Sequence, residues 1–379
     1  MNSKGDFVVR GGAGIFYDLG LGSAALVPSY WPNSAAGSFL GVSLPVTNVG
    51  SYLPSITMAP PYPDQIFSFV PGLELPRSYQ WNVAIEKSFG GNQTFSLTYL
   101  GQAGRNLLRE EAIYQPNPNF EGLLYITKND ASSNYNAWQV QYRRPLAKSV
   151  QALLNYGYSH SLDNASNDVV AGLSNTVISA ASDYASSDFD ARHSFSGAVT
   201  WQLPSTKHDP FLSAVTKDWS IATIVVVRSG FPLNAHVYLG ASVLNEQYTR
   251  PDLVTGQPLW VSTPGAPGGK TLNPNAFVIP TSVRQGTEGR NDIPGFGLTQ
   301  VDLSLGRQFS LGDRFQLQFR ADAFNMLNHP NFTNPIAYIQ FGPLYYQSTS
   351  MLNQGLGGLN PLFQSGGPRS LQLSLKLTF

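Results

Sequence analysis

The sequence predicts an all-β fold, an antiparallel up-and-down sheet of about ten strands that crosses a lipid bilayer. Three observations carry this. The last ten residues, SLQLSLKLTF, place Leu371, Leu373, Leu375, Leu377 and Phe379 on one face and Ser370, Gln372, Ser374, Lys376 and Thr378 on the other, because strand side chains alternate with a period of two. Such a strand exceeds the roughly 5 to 6 residues usual in soluble sheets and suits the roughly 9 to 11 that cross a bilayer at a tilt. Only 12% of the 379 residues are charged, against roughly 25% in a soluble globular chain. The predicted connections, finally, alternate long and short along the whole chain.

Composition bounds the alternatives. The longest apolar run, Ile221 to Val227, is far short of the roughly 18 residues a membrane helix needs, so any crossing must use strands closed into a barrel. Lys plus Arg equals Asp plus Glu at 23 each. No basic field therefore points to a nucleic-acid partner. The absence of cysteine excludes disulfides and thiolate metal sites. The first residues, MNSKGDFVVR, lack an apolar export segment, which for an exported barrel predicts a fragment.

In chain order, FVVRGGAGIFYD (7–18) reads as a strand weakened by glycines. Residues 80–89 and 94–102 read as a hairpin, with Trp81, Val83 and Ile85 alternating with Asn82 and Glu86, and GGNQ as its turn. A second pair spans 137–145 and 150–162 around LAKS, and a third spans 193–203 and 219–230. The fourth spans 296–310 and 315–327 around LGDR, with Phe315, Leu317, Phe319 and Ala321 set against Gln316, Gln318, Arg320 and Asp322. Strand 370–379 is the tenth. Long connections at 19–79, 103–136, 163–192, 231–295 and 328–369 alternate with short ones at 90–93, 146–149, 204–218 and 311–314. This asymmetry of long extracellular loops and short periplasmic turns belongs to outer-membrane barrels. Short hairpins near 107–114 and 122–128 are not counted as barrel strands.

Strand length, loop asymmetry and mid-strand polar residues favour a membrane barrel whose polar face lines a wet lumen. Arg143, Asp302, Arg320, Asp322 and Lys376 are the lumen candidates. Trp81, Trp138, Trp201, Trp219, Tyr99, Tyr156 and Tyr158 fit an aromatic girdle. Loop aromatics Tyr30, Trp31, Tyr52, Tyr62, Trp260, Tyr345 and Tyr346 could line a substrate vestibule, and loop packing explains them nearly as well.

Catalytic and metal motifs are weak. GLGSAA (Gly20 to Ala25) has dinucleotide-binding spacing but is followed by Pro28 and no amphipathic helix. His160, His193, His208, His236 and His329 form no paired metal spacing. Asp183, Asp188 and Asp190, with Asp163 and Asp168, could gather around calcium, although a solvated loop is the simpler account. No GxSxG elbow is present. No enzyme activity, cofactor or resident metal is expected.

The segments LPRSYQWNVAIEKSFG (75–90), LTYLGQAGRNLL (97–108), DFDARHSFSGAVTWQLP (188–204), GFGLTQVDLSLGRQFSLGDRFQLQFRADAFNMLNHPNF (295–332) and the terminal strand resemble the C-terminal barrel of TonB-dependent transporters of the Oar-like type. FNMLNHPNF (324–332) is the most specific. The resemblance implies a 22-stranded barrel in the outer membrane of a Gram-negative-type cell, closed by an N-terminal plug and driven by TonB-type energy coupling, for a substrate too large for porins. It implies that residues 1–379 are a single partial barrel domain, lacking plug, regulatory-like domain and signal peptide. It also implies that Leu371, Leu373, Leu375, Leu377 and Phe379 form the signal bound by the barrel assembly machinery. The alternatives are a self-contained ten-stranded pore and a soluble all-β binding or adhesion protein.

Overall fold

The computed structural model describes residues 6–19, 29–34, 40–43, 45–52, 55–62, 65–90, 93–147, 149–166, 183–204, 213, 217–238, 248–281, 284–312, 314–352 and 366–379. GLGSAA, Asp168 and His208 lie outside them.

Ten strands form one antiparallel meander: β1 (Phe7–Tyr17), β2 (Arg77–Phe89), β3 (Gln93–Tyr114), β4 (Leu123–Ala147), β5 (Val150–Asp163), β6 (His193–Gln202), β7 (Trp219–Arg228), β8 (Leu298–Leu311), β9 (Phe315–Phe324) and β10 (Ser370–Thr378). All ten strands expected from alternation are present. Each pairs with its sequence neighbours, and the paired ends Phe89 with Gln93, Ala147 with Val150 and Leu311 with Phe315 lie at one end of the sheet. The sheet is open. Among the described residues β1 pairs only with β2 and β10 only with β9, so the closed ten-stranded pore is not what the chain forms here.

The register gives the sheet two distinct faces. Ile85, Leu97, Val140, Tyr156, Phe195 and Val227 follow one another across β2 to β7, and Leu305, Ala321 and Leu373 continue the same face across β8 to β10. Behind it run Glu86, Ser96, Gln141, Asn155 and Ser196. The apolar face is bare: Trp138 is 50% exposed and Leu373 73% exposed. A contiguous apolar surface of this extent is stable only against lipid. Trp81, Tyr99, Trp138 and Tyr158 make its aromatic belt, with the Tyr99 and Trp138 rings 5.1 Å apart. Trp81 lies flat over Gly101, where an added Cβ would come within 2.1 Å of the indole. Only glycine leaves room for that ring.

One expectation is corrected. Residues 103–136 are not a long loop, because β3 and β4 run on for 22 and 25 residues and join through 115–122. The excess over the roughly 9 to 11 residues of a crossing projects as a tall ribbon beyond the rim. Register shifts between Gly104, Leu107 and Arg109 break the alternation where the ribbon leaves the barrel. Gln65–Phe69 adds to it in parallel along Leu123–Thr127.

The connection 229–297 also folds. Pro232–Leu233 pairs with Ile293–Pro294, Asp252–Leu253 with Phe277–Val278, and Trp260–Ser262 with Lys270–Leu272. Leu233, Ala235, Leu272, Ala276, Phe277 and Ile293 form a core with Ala337 and Ile339 from the last long connection. This lobe lies in the chain between β7 and β8 and is tied to the end of β5 by Arg290, which donates to Asp163.

The segment 324–332 has a physical explanation. Beyond β9 the edge of β8 has lost its strand partner, and the Asn331 side chain and the Met326 N–H, which donates to the Val301 carbonyl at 2.7 Å, replace it. Asn331 accepts from the Thr299 N–H at 2.8 Å and donates to the Thr299 carbonyl at 3.0 Å. Asn325 donates to the His329 and Gly367 carbonyls, both at 2.8 Å, while its own N–H donates to Asp302 Oδ1. Both asparagines are buried. Asn331→Ala strands two peptide groups of β8, at a cost of about 1 to 3 kcal/mol each. We expect a clearly lowered urea midpoint for the folded sheet in detergent, and an unchanged midpoint would refute this role.

Candidate functional site

The site has two parts, a polar wall and the clamp that fixes the lobe above it. On the wall, Ser96, Thr98, Gln139, Gln141, Asn155 and Ser196 line a hollow of about 570 Å³. A second hollow, of about 410 Å³, lies toward the short turns and takes in Gln202, Gln308 and Gln318. The polar face is therefore the concave one.

Register places all five polar candidates on this face. Arg143, Leu153, Ala198, Ile224 and Asp302 follow in direct opposition across β4 to β8, and Arg320, Asp322 and Lys376 share the same side of β9 and β10. Their surroundings differ. Arg320 donates to Asp322 at 2.8 Å and to Ser304 at 3.1 Å, and Asp302 is occupied by Gln300 and the Asn325 N–H. Arg143 and Lys376 are exposed. Leu153 and Ile224 interrupt the polar wall and are 40% and 50% exposed.

The loop aromatics fall into two groups. The Tyr30 ring is 4.1 Å from Phe67, and Trp31 is 5.3 Å from Tyr62, all against the β3–β4 ribbon. Trp260 packs on the lobe core, donates to the Pro294 carbonyl at 3.0 Å and carries the Lys270 ammonium 4.2 Å over its ring. Tyr346 packs on the same core, and Tyr345 contacts Tyr338 and Phe341. On β10, Leu371, Leu373, Leu375 and Leu377 face out, and Phe379 lies 6.5 Å from Phe315.

The clamp is built from residues that sequence patterns did not bring together. Asp183 receives Arg109 at 2.9 Å and Arg250 at 3.0 Å. Arg290 spans Asp163 at 2.7 Å and Asp188 at 3.1 Å, and donates to Ser166 at 2.7 Å. Asn291 donates to Asp188 and to the Ser186 carbonyl, both at 2.7 Å. Asp190 takes Arg192 at 2.9 Å. The four described aspartates weighed for calcium are thus neutralised by arginine, and among the described residues no cluster could hold a metal ion. Arg109 rises from the barrel ribbon, whereas Arg250 and Arg290 belong to the lobe, so the clamp ties the two. The available signal was arginine in Gly- and Pro-rich loops of an otherwise charge-poor chain.

Behind the clamp, Glu288 is buried, with Oε1 accepting from the Ala235 N–H at 3.0 Å and Oε2 without a partner. Burial pushes its carboxyl up to about 8. Neighbouring His236 is lowered to about 4, first by burial and then by the Arg250 charge.

An open sheet with an apolar belt outside, a polar wall inside and long loops at one rim defines a transmembrane β-barrel wall of the bacterial outer-membrane kind. The chain matches the family model described as outer membrane beta barrel domain over residues 1–372 and belongs to that family. Its place is the cell outer membrane. No curated protein matches the sequence. Among solved structures it is similar to the outer membrane transporter YddB from Escherichia coli, at 11% identity and a TM-score of 0.46, over 83% of this chain and 34% of that one. It is similar to the pyoverdine outer membrane receptor FpvA from Pseudomonas aeruginosa, bound to pyoverdine, at 12% identity and a TM-score of 0.43, over 81% and 30%. The chain spans about a third of the length of these proteins.

Two outcomes test the clamp. Asp183→Ala removes the buried carboxylate shared by Arg109 and Arg250 and leaves Arg109 the longer pairing with Asp130 at 3.8 Å, a loss of about 3 to 5 kcal/mol, and should expose the lobe to added protease on whole cells while the barrel stays protected. The pH response has a definite sign. Glu288 holds its proton above the ordinary 4.5, so its contribution is complete below that value and is lost as pH rises through about 8. His236 stays neutral below the ordinary 6.5, so its contribution is complete above 6.5 and is lost as pH falls through about 4. The two slopes offset each other between 4.5 and 6.5. Hydrogen exchange in the lobe should therefore quicken from 6.5 to 8 beyond its chemical pH dependence, and Glu288→Gln should abolish that rise.

Proposed function

We propose that this chain is the C-terminal part of the barrel of a TonB-dependent receptor or transporter of the Oar-like type, serving uptake or export of a substrate too large for porins. The observation that carries this is the open, two-faced sheet. Each unsatisfied peptide group facing hydrocarbon costs several kcal/mol, so the free edges of β1 and β10 require further strands. In this reading the same polypeptide supplies them. The inward row Leu153, Ala198 and Ile224 supports a filled lumen, since exposed apolar side chains on a wet wall call for cover. A plug domain would supply that cover and TonB-type coupling would move it, while Arg143, Arg320, Asp322 and Lys376 meet its surface. The lobe aromatics Trp260, Tyr345 and Tyr346, with Tyr30 and Trp31 across the rim, would flank the substrate's entry.

The test is conductance in planar bilayers. The full-length gene product should insert without conducting freely, and deletion of its lumen-filling segment should open a large pore. A chain of residues 1–379 that conducts alone as a small uniform pore would overturn the proposal in favour of a self-contained channel. A chain that remains in aqueous solution without detergent would overturn it in favour of a soluble binding protein. Assembly is tested separately. Phe379→Ser removes the aromatic end of the apolar series Leu371, Leu373, Leu375 and Leu377, and should lower the amount of heat-modifiable protein in the outer membrane several-fold; unchanged levels would exclude the signal role.

A further inference from the structure

The outward face of the extracellular rim carries a feature that transport does not use. Arg77 opens β2, and Arg105 stands directly opposite it on β3. Both have the parity of Trp81, Val83 and Ile85, so both lie on the lipid-facing side, beyond the aromatic belt. Like charges in direct cross-strand opposition destabilise a sheet. Here no acid relieves them: among the described residues neither arginine has an ion-pair partner. Arg105 donates only to neutral groups, the Gly104 carbonyl at 2.7 Å, the Ser133 carbonyl at 2.9 Å and Asn134 Oδ1 at 3.0 Å, which hold its guanidinium flat across β4 and leave part of its fork open. Arg77 Nε is shut away from solvent with no hydrogen-bond partner. The acid closest in sequence, Glu74, has its carboxylate engaged by the Asn106 amide and its backbone held by Asn129.

We propose that Arg77 and Arg105 together bind a phosphate group on the headgroup of an outer-leaflet lipid. Two guanidinium forks side by side offer the paired N–H donors that suit phosphate oxygens, and one bridging anion removes the repulsion between them. The depth fits, because the belt of Trp81, Tyr99 and Trp138 marks the membrane interface and the two arginines stand just beyond it. The orientation fits a lipid better than a free anion. The pair opens onto the same surface as the belt, and Tyr17, opposite Arg77 on β1, is 64% exposed on that face. The inference rests on the outward orientation of this face and not on the transported substrate.

The test uses the detergent-solubilised, folded protein with three probes: lipid A carrying both phosphates, its fully dephosphorylated counterpart and inorganic phosphate. Retained lipid is counted by native mass spectrometry. The wild type should retain the phosphorylated lipid, and Arg77→Gln with Arg105→Gln should lose about tenfold in retention, the scale of one lost charge-assisted hydrogen bond. Among the described residues the Arg77 side chain makes no hydrogen bond, so Arg77→Gln alone spares the fold and should lower retention by itself, which keeps the question open to measurement if the double variant does not fold. Arg10→Gln, on the lumen side where Arg10 pairs with Glu86 at 3.1 Å, should leave retention unchanged. Equal retention of the dephosphorylated lipid, equal retention by both rim variants, or full competition by millimolar inorganic phosphate would each overturn the proposal.

Discussion

Inside hydrocarbon no water is at hand for a peptide group, so every N–H and C=O along β1 to β10 must find its partner on a neighbouring strand. The rest of the molecule depends on that constraint. It makes the meander regular, since any break in the ladder would face lipid, and it confines irregular backbone to the rim. Among the described residues the ladder shifts register at the two rims, between Gly104 and Arg109 where β3 leaves the barrel and between Arg144 and Ala147 beside the short turn after β4. Where β8 loses its strand partner beyond β9, the buried amide of Asn331 takes over both hydrogen bonds of Thr299, while the Asn325 amide ties the His329 and Gly367 carbonyls beside it. The asparagine-rich segment thus extends the ladder by one side chain, Asn331, together with the Met326 N–H, which donates to the Val301 carbonyl at 2.7 Å.

The same constraint explains what could be read from the sequence. A strand that shows lipid one face and a lumen the other alternates where both faces differ, and so most of the ten strands stood out, β10 most plainly, while glycine-rich β1 and β7, apolar on both faces, did so least. Alternation vanished where the two environments vanished. The ribbon of β3 and β4 beyond Gly104 has water or loops on both sides, and its bulges shift the phase, so 107–114 and 122–128 looked like separate short hairpins. The lobe escaped for another reason. Its strands are two or three residues long, below any periodic signal, and its core draws Ala337 and Ile339 from a different connection. The clamp joins Asp163 to Arg290, 127 positions apart, and no local pattern reports a pairing at that separation.

Charge placement follows the same division of environments. With 12% of residues charged, the chain keeps most of the lipid-facing surface neutral and concentrates ionic bonds at the rim. There Arg109, Arg250 and Arg290 cross-link ribbon, lobe and the 183–190 segment through buried carboxylates. Apolar residues of equal volume could hold the lobe as firmly, because desolvation offsets much of the gain of a buried ion pair. An ionic clamp differs in how it fails. It resists partial opening, since a single broken pair leaves a buried charge, and it releases fully once water enters.

The inner wall is less uniform than a water-filled pore requires. Across β4 to β8 its register runs Arg143, Leu153, Ala198, Ile224, Asp302, an apolar stripe between two charged ends. On β7 this follows from the run Ile221 to Val227, which is apolar on both faces, and strands buried on both faces carry such continuous runs. Lipid covers Ile221, Val225 and Val227 from outside. Ile224 and its row neighbours have no such cover within the sheet. The middle strands are therefore suited to a packed interior, while the neutral hollow lined by Gln139, Gln141 and Asn155 beside them is where water or a passing solute would run.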